Sequence, residues 1–277
     1  MKRSFFGILM ACLAFLAFLA AGVPCATSAG SPRPAPGKID VVVLVSADQE
    51  WTGLRAVFPA LAGERTPFGE AIATSIATKG GPRPVVYFHG GWGKISAAAS
   101  TQYAIDRWRP SLLVNLGTCG GFEGKVKTGD VILATKALTY DIIEQMGDQA
   151  AVIAHYTTPI DLSWLAKPYP TPVIESVIVS GDRDLLADEV PKLNALYGAV
   201  AGDWESSSIA FTAHRNGTPL LILRGVSDVV GKAGSEAYGN VALFERRAAE
   251  IMKDLLKVLP LWLDAAGNLP PRRGGPH

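Results

Sequence analysis

Six short runs of apolar, largely β-branched residues punctuate the chain. They are 39–45 (Ile-Asp-Val-Val-Val-Leu-Val), 84–89 (Pro-Val-Val-Tyr-Phe-His), 112–116 (Leu-Leu-Val-Asn-Leu), 130–134 (Asp-Val-Ile-Leu-Ala), 173–179 (Val-Ile-Glu-Ser-Val-Ile-Val) and 220–223 (Leu-Leu-Ile-Leu). Runs this short, with no polar side, predict strands covered on both faces, as in a parallel sheet. The period changes between them. Ile95, Ala98, Ala99 and Tyr103 fall at helical spacing within 93–108, as do Ile209, Ala210 and Ala213 within 206–215. Leu243, Ile251, Leu255, Val258, Leu259 and Trp262 do the same within 241–263. Strands alternating with helices predict a layered α/β fold with a mostly parallel sheet. The stretch 139–169 has weak periodicity and many polar or turn residues, and is expected to run over the surface at a subunit contact or a pocket.

The N-terminus breaks this pattern. Lys2 and Arg3 precede an apolar run from Phe5 to Val23, Pro24 interrupts it, and Thr27-Ser-Ala29 supplies small residues before Gly30. That is the layout of a cleaved signal peptide over 1–29, with a retained membrane anchor as the alternative. Export to a periplasmic or extracellular space is therefore expected, with no stable membrane anchor after processing. A Pro/Gly linker is expected over 30–37, one domain over 38–264, and a flexible tail over 265–277. Of the 277 residues, about 250 then remain, a length that suits one large α/β domain. With Lys2 and Arg3 gone, 24 basic residues face 25 acidic ones, which gives no reason to expect nucleic acid or an anionic membrane as partner. Cys12 and Cys25 leave with the leader, so Cys119 has no disulfide partner within the chain. His89, His155, His214 and His277 show no metal-ligand spacing, and neither metal nor cofactor is expected.

Chemistry-bearing residues gather where strands are expected to end, and ligand crevices of open α/β sheets form outside the carboxyl ends of strands. The first run leads to Ser46-Ala-Asp-Gln-Glu50, where Glu50 either favours a helix dipole or orients and deprotonates a water. The second leads to Gly90-Gly-Trp-Gly-Lys94 and the third to Gly117-Thr-Cys-Gly-Gly121. In both, Gly91 and Gly117 among them, glycine lets backbone pass close to a ligand or simply closes a turn. Neither has Rossmann or P-loop spacing. In Gly202-Asp-Trp-Glu205, Asp203 suits a helix N-cap, while Glu205 enters a helix with an apolar face and needs partners that vicinal sugar hydroxyls would supply. The last run leads to Ser227 and Asp228, a carboxylate placed for chemistry or for a turn. Cys119 reads as a small packing residue.

Seven segments in this order resemble the nucleoside phosphorylase/nucleosidase superfamily, most nearly its 5′-methylthioadenosine/S-adenosylhomocysteine nucleosidases. They are Ser46-Ala-Asp-Gln-Glu50, Gly91-Trp-Gly-Lys94, Asn115-Leu-Gly-Thr-Cys-Gly-Gly121, Lys127-Thr-Gly-Asp130, Val179-Ser-Gly-Asp182, Asp203-Trp-Glu205 and Ser227-Asp-Val229, and they span nearly all of 39–259. The resemblance implies a three-layer α/β/α sandwich around a mixed, mostly parallel sheet, assembled as a homodimer. It implies hydrolysis of a purine nucleoside at its N-glycosidic bond, with water and the nucleoside as partners. Glu50 takes the place of the water-activating carboxylate and Glu205 that of the acid gripping the ribose hydroxyls, with Trp204 beside the sugar. Asp228 takes the place of the acid that protonates purine N7, Ser227 supports it, and Tyr238 takes the place of the aromatic over the 5′-substituent.

The chemistry of the reaction agrees. N-glycosidic cleavage has oxocarbenium character, and the purine leaves well only when protonated, so acids are needed on both the base side and the sugar side. Two other readings stay open, a purine nucleoside phosphorylase and a secreted nucleoside-binding or storage protein. A glutamate where phosphate would sit disfavours the phosphorylase. In two places the chain departs from the nucleosidase pattern. After Ser180-Gly-Asp182, Arg183-Asp184 stands where an aromatic usually stacks on adenine, and Gly90 replaces a usual Ser or Thr. Asp184 therefore either hydrogen-bonds a different base edge or faces solvent.

Overall fold

The computed structural model describes residues 39–267, 269 and 270. The expected leader and linker, and most of the expected tail, lie outside the described residues. Ten strands form one mixed sheet: β1 (Val41–Val45), β2 (Glu64–Arg65), β3 (Glu70–Thr78), β4 (Gly81–His89), β5 (Leu112–Phe122), β6 (Val131–Thr139), β7 (Thr157–Pro159), β8 (Ile174–Ser180), β9 (Ala199–Asp203) and β10 (Leu220–Val230). Six helices accompany it among the described residues: α1 (Asp48–Val57), α2 (Lys94–Trp108), α3 (Gln149–His155), α4 (Val190–Tyr197), α5 (Ser206–Arg215) and α6 (Val241–Ala265). The strand order is β10-β6-β8-β9-β5-β1-β4-β3-β2, and β10 also pairs with β5, which closes that end of the sheet on itself. The long central ladders of β1 with β4 and β5, and of β10 with β5, are parallel.

The alternation of β1 explains the layers. Val42 and Leu44 point into one core with Ala97, Ile105 and Trp108 of α2 and with Ile209 and Ala213 of α5. Val41, Val43 and Val45 point into the other with Trp51 and Leu54 of α1 and with Leu255, Leu259 and Trp262 of α6. A strand apolar on both faces is thus covered by helices on both sides, the expected three-layer arrangement. Burying each such side chain is worth about 1.5–3 kcal/mol.

Two strands run further than their apolar runs predict. β5 continues past Leu116 to Phe122, and β10 past Leu223 to Val230, in parallel register from Leu220 against Leu113 to Val230 against Phe122. Gly117, Gly120 and Gly121 are therefore strand residues rather than the expected turn. Their lack of a side chain has a packing cause. A Cβ on Gly117 would stand 2.2 Å from Arg224 Nη1 and 2.6 Å from Glu50 Oε1, and one on Gly121 would stand 2.5 Å from Val126 Cγ2. Asp228 likewise lies within β10 instead of beyond its end. The β5–β10 register shifts between Val226 and Asp228, a bulge that re-aims the side chains there.

The stretch 139–169 contains only the short α3 and β7, yet Trp164 and Leu165 are buried. Ala166 N donates to Ala265 O at 2.9 Å and Gly267 N to Trp164 O at 3.1 Å, so the folded domain continues past the expected boundary at 264.

Candidate active site

A cavity of about 440 Å³ opens at the carboxyl ends of β1, β9 and the extended β5 and β10, well within the size range of small-molecule sites. Its walls include Glu50, Trp92, Thr118, Cys119, Asp184, Asp203, Trp204, Glu205, Ser227, Asp228, Tyr238 and Phe244. Two further clefts, around Lys79 and Asp264 and around Trp164 and His214, hold no comparable group of buried acids.

One end of the cavity is organised by Arg224, a fully buried residue of β10. Its Nε lies 3.0 Å from Asp203 Oδ2, Nη1 lies 3.4 Å from Glu50 Oε1, and Nη2 lies 3.3 Å from Glu205 Oε2. Nη1 also donates to Thr118 O at 3.3 Å and Nε to Ser206 Oγ at 3.2 Å. A buried guanidinium is tolerable only with such complete pairing. Here three carboxylates from the start of α1, the end of β9 and the start of α5 meet it on β10.

Each acid has further partners. Glu50 Oε1 accepts from Thr118 N at 2.6 Å and Thr118 Oγ1 at 2.8 Å, and Oε2 accepts from Ala47 N at 3.2 Å. Glu50 thus caps α1 and also lines the cavity. Asp203 accepts from Ser180 Oγ at 2.6 Å, from Ser206 N at 3.1 Å and from Ser206 Oγ. Glu205 Oε1 accepts from Gly93 N at 3.0 Å, which ties the Gly-rich turn before α2 to the cavity. Burial pushes the Glu205 carboxyl up to about 8, further raised by Asp203 and Glu50 and opposed by Arg224. The Glu205 carboxyl is thereby biased toward holding a proton, and in that form it both donates and accepts.

The other end is built around Asp228. Ser227 Oγ donates to its Oδ1 at 2.6 Å and Ser235 Oγ donates to its Oδ2. The bulge makes this possible, since successive side chains of a regular strand point to opposite faces, whereas Ser227 and Asp228 both line the cavity. Tyr238 is partly exposed, and its hydroxyl donates to Leu185 O at 2.8 Å. Asp184 is exposed and lines the cavity beside it. Trp204 lies 5.4 Å from Trp92, ring centre to ring centre, at the mouth. The Cys119 thiol is held protonated by burial, in keeping with a packing role.

Of the residues singled out from sequence, Glu50, Trp204, Glu205, Ser227, Asp228, Tyr238 and Asp184 converge on this one cavity. Gly117 and Gly91 do not line it. Gly117 sits behind Glu50, where it admits the Arg224 guanidinium. Gly91 takes φ 75 in the turn before α2, and a Cβ there would meet Ser96. Arg224 and Asp203 were not picked out for this role. Arg224 ends an apolar run, where a cation looks like the return to solvent. The one signal in its favour is that β-rich residues resume at Val226 and Val229-Val230.

With the geometry in place, the class follows. A family model of the phosphorylase superfamily matches residues 40–259, and the chain belongs to that superfamily. Within it, the chain is similar to curated 5′-methylthioadenosine/S-adenosylhomocysteine nucleosidases. One from a Marinomonas species is 25% identical over 168 residues, covering 56% of this chain and 73% of the relative. One from Bacillus licheniformis is 27% identical over 189 residues, covering 63% and 79%. Among solved structures, the Streptococcus pneumoniae nucleosidase in complex with 8-aminoadenine superposes with a TM-score of 0.67 at 20% identity. That match covers 82% of this chain and all of the other, and it bears on the fold.

Proposed function

We propose that the protein hydrolyses the N-glycosidic bond of a purine nucleoside, as its nucleosidase relatives are named for doing, and releases the free base and a ribose derivative. The observation that carries this reading is the division of acids across one cavity: Glu50 and Glu205 around Arg224 at one end, Asp228 between two serine hydroxyls at the other. In this reading Glu50 accepts the proton of the attacking water through the open side of Oε2. Glu205 exchanges hydrogen bonds with the ribose hydroxyls, and Trp204 packs beside the sugar. Asp228 passes a proton to N7, so that the base leaves neutral while positive charge builds on the sugar ring between the acids. The pairing of Arg224 argues against phosphorolysis, since the one buried cation at that end already faces three carboxylates. Incubation with purine nucleosides in phosphate-free buffer tests the reading. Release of free ribose is expected, an absolute requirement for phosphate would make the protein a phosphorylase, and binding without base release would make it a nucleoside carrier.

Two further features belong to the same reading. The protein is a homodimer. Lys94 Nζ donates to Asp141; Trp92 and Ile95 flank the first in the chain, Ile143 and Met146 follow the second, and all four are exposed apolar side chains that would suit a second copy. Light scattering on the purified protein should give twice the chain mass. The protein is also exported, on the strength of Lys2, Arg3 and the apolar run that follows. Fractionation of cells carrying the full chain should place it outside the cytoplasm, with its N-terminus near Gly30.

A further inference from the structure

The base end of the cavity holds an acid that the reaction does not use. The Asp184 carboxylate is exposed, lines the same cavity as Asp228, and makes no hydrogen bond or ion pair among the described residues. The adjacent cation is engaged elsewhere: Arg183 Nη2 donates to both oxygens of Glu189 at 2.7 Å, and its guanidinium lies 5.3 Å from the Tyr140 ring centre. The turn that carries Asp184 is anchored from both sides. Leu185 is buried against β5 and β9, where a Cβ on Gly202 or Gly120 would come within 2.9 or 3.1 Å of its methyl groups. The carbonyl of Leu185 accepts from the Tyr238 hydroxyl at 2.8 Å. Burial, then the charges of Asp184 and Asp228, push the Tyr238 hydroxyl up, and all three residues line the same cavity.

A carboxylate is an acceptor only, and its two open oxygens match two adjacent donors. Adenine offers one donor on its Watson–Crick edge, N6–H, beside the lone pair of N1, which repels the second oxygen. Guanine offers N1–H and N2–H side by side. We propose that Asp184 sets the base specificity of this cavity by accepting both of these bonds, so that guanine nucleosides are preferred to adenine nucleosides. The inference rests on the cavity being a purine nucleoside site, and it deepens that reading.

The wild-type protein and Asp184→Asn are compared with guanosine and adenosine as substrates in phosphate-free buffer. Equilibrium binding of guanine and adenine, read from quenching of tryptophan fluorescence, is measured in parallel. Guanosine should have the higher kcat/KM in the wild type. Asparagine keeps one acceptor and gains a donor, the complement of N6–H and N1 of adenine, so the guanosine-to-adenosine ratio should fall by about tenfold to a hundredfold. A wild-type preference for adenine, or a ratio that Asp184→Asn leaves in place, overturns the role of Asp184 while ribose release keeps the nucleosidase reading intact. Guanine binding without ribose release from any nucleoside does the reverse. Failure to bind either base overturns both.

Discussion

The two ends of the cavity are held together in opposite ways. At the sugar end Glu50, Asp203, Glu205 and Arg224 are buried, and each carboxylate answers to the guanidinium and to a backbone amide. They sit on or directly beside β1, β9 and β10, so the central sheet fixes their spacing. At the base end only Ser227 and Asp228 lie on a strand. Asp184, Tyr238 and Arg183 sit in the turns after β8 and β10, and all three are exposed to some degree. On the proposed reading, a rigid scaffold carries the part that every substrate of the reaction shares, while loops carry the part that varies with the base.

The largest effect that can break this comparison is on folding. Arg224→Met removes the one cation from three buried carboxylates and should cost about 3–5 kcal/mol of stability, with activity lost alongside. Arg183→Met cuts an exposed pair at the other end and should cost about 0–1 kcal/mol. Urea unfolding of the two variants measures both. Equal midpoints would mean that the sugar end is no stiffer than the base end.

Next comes turnover. Asp228→Asn and Glu50→Gln each remove a proton-transfer group from opposite ends, and each should lower kcat by about 10²–10⁴-fold. KM should move little in Asp228→Asn, because Asn keeps an acceptor for Ser227 or Ser235. A variant of either residue with near-normal kcat would strip that residue of its role.

How legible the two ends were in sequence also differs. The apolar runs located β1, β4, β5, β6, β8 and β10, because strands covered on both faces need apolar side chains on both. They did not locate β3, whose Thr74, Ser75 and Thr78 mix with small apolar residues on a sheet with one face partly open, nor β9, which is built of alanines, a valine and a glycine. The far halves of β5 and β10 were hidden for a further reason. A strand that must let Arg224 and Val226 cross it uses Gly117 and Gly121, and in sequence those glycines look like a turn. Glu50 and Glu205 were legible because they follow the ends of β1 and β9, and Asp228 because its apolar run stops short of it, although β10 itself runs on to Val230. Arg224 was not, because its partners lie 174, 21 and 19 residues away along the chain and only the closed sheet brings them together.

Smaller effects test the loops. Tyr238→Phe removes only the hydroxyl that ties Tyr238 to Leu185, and should raise KM about fivefold and lower stability by about 1 kcal/mol while leaving kcat near wild type. A change in kcat instead would move Tyr238 from recognition into the chemical step.

The last test concerns the proton on Glu205, and it is read as a slope with pH rather than as a loss at one pH. In the unfolded chain this carboxyl titrates near 4.5, and in the folded protein burial raises it to about 8. Below 4.5 both states hold the proton, and the stabilisation this gives to the fold is fully present. As pH rises between the two values, the unfolded chain releases a proton that the folded chain keeps, so stability falls. Above about 8 the folded state loses the proton too, and the contribution is gone. Glu205→Gln cannot ionise. It should lower stability by a roughly constant amount, since one of the bonds to Gly93 N and Arg224 Nη2 is lost, but it should remove the downward slope between pH 5 and pH 8. Thermal midpoints of the two proteins across that range give the comparison. Parallel curves would mean that Glu205 is ionised in the fold, and that Arg224 alone holds three full negative charges at the sugar end.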